Sequence, residues 1–181
     1  SLLAVTSLFL NSISSHVTAN PAVGLAGSYF VTFIRVPHGC GTSGTTKVTV
    51  NLTDDLTTGA TAQSVSGWKV SYGYPNDKQG STNSTEGESG GASKVPNSVT
   101  WEAQNNAELP HDQFMDFGLS LKLPLTATYN NTIYFPTMQY CKNGTGDWSS
   151  WPGNPGQNPE KTPAPKLVLT NSTDSTASKT G

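Results

Sequence analysis

A chain of 181 residues is long enough to bury one full-sized core and calls for no second domain. Only 12 % of its residues are charged, about half the usual share, and the formal net charge is −2, so there is no basic surface to attract nucleic acid or anionic lipid. With 18 Gly and 12 Pro, and with Ser, Thr and Asn crowded between apolar runs, the composition favours short strands and many turns over long helices.

The first residues, SLLAVTSLFLNSISS, join an apolar run from Leu2 to Leu10 to a polar stretch ending in small residues. Residues 1–15 therefore read as the remnant of a secretory signal peptide, without initiator Met or charged n-region and too short to span a bilayer. A buried first strand is the alternative. Cleavage after Ser15 would leave His16 as the first residue of the mature chain; cleavage a residue or two earlier would not.

The folded domain is expected over residues 16–170. From Gly27 to Val36 both alternating sets are apolar, as in a strand covered on both faces or lying centrally in a sandwich. In Lys47 to Thr53 the residues Val48, Val50 and Leu52 point one way, and Lys47, Thr49 and Asn51 the other. Trp68, Val70 and Tyr72 repeat the pattern. The stretch 74–97 carries STNSTEGESGGAS, which buries too little apolar surface for a fixed shape, and is expected to be a mobile polar loop. Val99 and Trp101 reopen the alternation, and Phe117, Leu119, Leu121 and Leu123 give its clearest instance. Ile133, Phe135, Thr137, Gln139 and Cys141 share one face of the next predicted strand, whose Pro136 implies an edge or a bulge. Leu167 and Leu169 make a last short strand, and residues 171–181 form a Ser/Thr-rich disordered tail. Seven or so short strands predict an all-β fold: an antiparallel two-sheet β-sandwich of the immunoglobulin or fibronectin kind with Greek-key connections.

Five Asn-x-Ser/Thr acceptor sites, at Asn51, Asn83, Asn130, Asn143 and Asn171, together with the signal-like start, point to a glycoprotein of the eukaryotic secretory route, secreted or at the cell surface. Cys40 and Cys141 are the only cysteines and have no metal-type spacing, so in an oxidising compartment the default is one disulfide. Phosphate-loop, His-Glu-x-x-His and Cys-x-x-Cys signatures are absent, and no catalytic residue is assigned. Three histidines exist: His16, His38 and His111. His16 stands apart because, at a mature N-terminus, its α-amine and ring Nδ1 form a two-nitrogen chelate of the kind Cu(II) favours. Both donors must lose protons to bind, so metal and protons compete.

These stretches resemble the YcnI-like family of extracytoplasmic copper-binding domains. The matching blocks, in order, are HVTANP, AGSYFVTFIRVPHGC, TTKVTV, GWKV, VTW, DFGLSLKLP, YFPTMQYC with the following Trp148, and PAPKLVL. The resemblance implies a β-sandwich holding one copper ion through the amine and ring of His16, with Trp148 beside the metal. Trp151 is a nearby competitor for that role, while Trp68 and Trp101 lie in strand patterns and read as core. It also implies that the ends of the VPHGC and YFPTMQYC segments meet at one end of the sandwich.

One departure bears on the ligand set. Family members commonly carry a Glu after Gly-Ser-Tyr or after Arg-Val-Pro, where this chain has Phe30 and His38. His38 could supply a nitrogen instead, or its ring could simply lie near the disulfide; Asp116 is the remaining acidic candidate. The leading expectation is a non-enzymatic module that stores or delivers copper outside the cell, with a copper donor or acceptor protein as partner and with membrane contact only through a C-terminal anchor beyond this stretch. Two other classes compete: a glycosylated surface or matrix module with no metal function, and a copper monooxygenase in which His111 or His38 completes a three-nitrogen site.

Overall fold

The computed structural model describes residues 16–75, 95–154 and 161–171; the expected signal remnant, most of the expected polar loop, Asn83 and all but Asn171 of the expected tail lie outside them. The described residues form twelve strands and no helix. In chain order these are β1 (Thr18–Asn20), β2 (Val23–Leu25), β3 (Tyr29–Val36), β4 (Thr45–Asn51), β5 (Ala60–Ala62) and β6 (Trp68–Gly73). Then follow β7 (Ser98–Ala103), β8 (Met115–Lys122), β9 (Thr132–Tyr134), β10 (Thr137–Cys141), β11 (Gly144–Trp148) and β12 (Lys166–Thr170).

Two sheets make the sandwich. One has the order β1-β3-β8-β5 and the other β11-β10-β4-β7-β6; a small third sheet has the order β2-β12-β9. Pairing within the two larger sheets is antiparallel throughout, while β2 and β12 run parallel. The core is what period-two alternation supplies: Val48 and Val50 from β4, Val99 and Trp101 from β7, Phe117, Leu119 and Leu121 from β8, all buried. Phe117 sits at its centre, with its ring 5.1 Å from Trp68 and 5.3 Å from Trp101. The Trp101 indole donates a hydrogen bond to the Gln63 carbonyl at 2.9 Å, whereas the buried Trp68 Nε1 has no partner among the described residues.

Two expectations need correction. The run 133–141 is not one strand: Pro136, which has no N–H to give a ladder, separates β9 in the small sheet from β10 in the five-stranded sheet, so the chain changes sheets there. Strand β3 does lie inside its sheet, between β1 and β8, but it is covered on one face only. Thr32, Ile34 and Val36 are buried, but Tyr29 is 82 % and Val31 48 % exposed. Cations cover part of that outer side in place of a second layer, with the Lys122 ammonium 4.5 Å from the Tyr29 ring centroid and the Arg35 guanidinium 4.5 Å from that of Phe114.

The ends of the expected loop are pinned by backbone hydrogen bonds from Asn97 to Gly73 and from Leu52 to Asn97. Cys40 and Cys141 are joined in a disulfide that closes 101 residues of sequence separation. No described helix is long and apolar enough to cross a membrane.

Candidate metal centre

Val17 and Ala19 are buried, which fixes the chain entering β1 and leaves His16 half-buried at the end of the sandwich. Its ring meets Trp148, the last residue of β11, with centroids 5.4 Å apart and planes tilted by 41°. The contact joins a residue leading into one sheet to the edge strand of the other. Trp148 occupies that place because the β10–β11 hairpin pairs it with Thr137, whose side chain is buried, so its indole turns toward the core side of the sheet.

Hydrogen bonding then fixes the indole. Trp148 Nε1 donates to Gln139 Oε1 at 3.2 Å; Gln139 Nε2 donates to Thr45 Oγ1 and to the His38 carbonyl, each at 2.8 Å. Gln139 is only 3 % exposed, so losing any of these partners would strand a buried polar group. Thr45 Oγ1 in turn lies 3.8 Å from Cys141 Sγ, which ties the network to the disulfide. Gly146 is required here: a Cβ would stand 2.9 Å from Trp148 Nε1 and 3.0 Å from Gln139 Oε1.

The other candidates lie as follows. The His38 side chain is exposed and its Nδ1 is 2.6 Å from the Gly39 carbonyl; it is the backbone of His38, not the ring, that enters the Trp148 network. His111 is also exposed, and its carbonyl accepts from Gly39 N at 3.1 Å, so these two loops are neighbours. Asp116 faces Arg35 across β3 and β8 and takes both guanidinium bonds at 2.7 Å, one on each carboxylate oxygen. Those bonds raise the Arg35 pKa further and occupy both oxygens that a metal would need. Trp151 packs with Tyr129 and Tyr134. Of the acceptor asparagines, Asn51, Asn130, Asn143 and Asn171 are exposed.

Among the described residues no three His, Cys, Asp or Glu side chains gather as a metal cage. What the end of the sandwich offers is one imidazole beside one indole. That donor set fits a two-nitrogen chelate made by a single N-terminal His. The sequence reasoning passed over Gln139, since alternation shows that it points inward but not which groups it meets there.

Sheets, disulfide and polar end together define an immunoglobulin-like β-sandwich with a His–Trp pair at one end. A solved structure agrees: an uncharacterized protein from Nocardia farcinica with an immunoglobulin-like fold is 30 % identical over 86 % of this chain and 98 % of its own, with a TM-score of 0.62. The chain belongs to the family described as a domain of unknown function, DUF1775, whose model matches residues 16–169 and so starts at His16. No curated protein sequence matches.

Proposed function

We propose that this is an extracellular, YcnI-like copper-binding module whose processed chain begins at His16 and holds one Cu(II) through its α-amine and Nδ1, without catalytic turnover. The observation that carries the reading is the 5.4 Å contact between the His16 and Trp148 rings. Copper so held would give the domain a means of storing or passing on the metal in an oxidising compartment, a setting with which the disulfide is compatible. His16 supplies the nitrogens, Trp148 covers one side of the ring, and Gln139 holds the indole in place. Because both nitrogens must shed protons first, affinity falls as the solution is acidified.

The test is a Cu(II) titration of a chain starting at His16, followed by tryptophan fluorescence and electron paramagnetic resonance. One-to-one binding is expected, with quenching that is largely lost in Trp148→Phe. One extra residue ahead of His16 turns the amine into an amide and should weaken binding at least tenfold, about 1.4 kcal/mol. Equal affinity with and without that residue would mean that copper sits elsewhere.

A further inference from the structure

On the solvent face of the five-stranded sheet, opposite the side that carries Gln139 and Trp148, lies a groove of about 480 Å³ lined by Asn51, Thr53, Asp54, Met138, Trp151 and Asn154. Its volume falls in the range of about 300–1,000 Å³ usual for small-ligand sites. All three residues of an acceptor sequon, Asn51-Leu52-Thr53, line it, with Leu52 buried and Asn51 exposed. The backbone beneath is fixed: Asn51 N donates to the Pro136 carbonyl and Leu52 N to the Asn97 carbonyl, each at 2.8 Å.

Trp151 forms the aromatic wall and is itself held. Its ring meets Tyr129 edge-on at 5.1 Å and lies 5.7 Å from Tyr134, and a Cβ at Gly153 would run into the far edge of the indole, so that one of them would have to shift. A half-buried indole facing a sequon across a groove, with Asp54 and Asn154 beside it, combines an apolar surface for the C–H face of a pyranose with acceptors and donors for its hydroxyl and acetamide groups.

We propose that this groove seats the first N-acetylglucosamine of an N-linked glycan carried by Asn51, stacked on Trp151. In the attachment step Asn51 Nδ2 bonds to the anomeric carbon of a lipid-diphosphate-activated oligosaccharide as the bond from that carbon to the diphosphate oxygen breaks. The amide gives up one proton and the lipid diphosphate leaves. Two other described acceptors stand on bare turns. Asn130 sits at a left-handed turn with φ 51°, and Asn143 at the tip of the β10–β11 hairpin, where an added Cβ on the adjacent Gly144 would meet nothing within 4 Å. The inference is independent of any metal at His16.

The experiment uses the full chain made in a eukaryotic secretory host. Glycopeptide mass spectrometry should find Asn51 occupied, and after enzymatic trimming to a single sugar, nuclear Overhauser contacts should link that sugar to the Trp151 indole. Asn51→Gln should lower the thermal midpoint by a few degrees, while Asn143→Gln leaves it unchanged. In a Trp151→Ala background, and in the milder Trp151→Phe, Asn51→Gln should bring a clearly smaller loss. An unmodified Asn51, absence of sugar-to-indole contacts, or the same loss with and without Trp151 would each overturn the proposal.

Discussion

The centre of the sandwich and its His16 end both rest on tryptophans, but they hold them by opposite means. Around Phe117 the rings of Trp68 and Trp101 are fixed by apolar burial, and polar satisfaction is uneven: one indole nitrogen reaches Gln63 and the other reaches nothing among the described residues. At the end of the sandwich Trp148 is only partly buried, and its direction comes from a chain of hydrogen bonds through Gln139 to Thr45 and His38. Burial holds a ring through many weak contacts, none of them directional. A hydrogen-bonded ring is held in one orientation by its partner.

The largest effect expected from breaking this contrast is at the disulfide. Replacing both Cys40 and Cys141 by Ser should cost roughly 4 to 5 kcal/mol in denaturant unfolding, since the closed loop is about 100 residues long. A loss below about 1 kcal/mol would mean that the end of the sandwich is held without it. Next comes Gln139→Leu, which leaves Trp148 Nε1, Thr45 Oγ1 and the His38 carbonyl without their partner. It should cost about 2–3 kcal/mol and shift the Trp148 contribution to fluorescence, measured by difference against Trp148→Phe. An unshifted spectrum would show that packing alone orients the indole. The smallest effects separate the two core tryptophans. Trp101→Phe removes a made hydrogen bond and should cost about 2 kcal/mol, whereas Trp68→Phe removes a buried unpaired N–H and should cost about 1 kcal/mol or less. Equal costs in paired thermal melts would count against the difference in their partners.

Strands long enough to alternate could be read directly. Val48 and Val50, Val99 and Trp101, and Phe117 to Leu121 declare β4, β7 and β8 through inward apolar residues. Strands β1, β2 and β5 have three residues each, too few for a period to appear, and β11 is GTGDW, whose glycines and Asp argue against a strand until β10 supplies its ladder. The outer face of β3 misled because Tyr29, Val31 and Phe33 carry no sign that only solvent and cations stand above them. The His16–Trp148 pair followed from the family resemblance, not from periodicity. Gln139 could not be found that way, since its meaning depends on a carbonyl at His38, 101 residues away.

Strand β1 has a second consequence beyond carrying His16. Open sheet edges invite another chain to add itself, and this four-stranded sheet ends in strands of only three residues on both sides, Thr18–Asn20 and Ala60–Ala62. Behind β1 lies the eight-residue β3, whose Phe33–Arg35 stretch it covers. Clipping the chain past Asn20 would therefore do more than remove a histidine. It would uncover a long, partly apolar edge suited to intermolecular pairing, so the integrity of the first five residues from His16 guards the domain against aggregation.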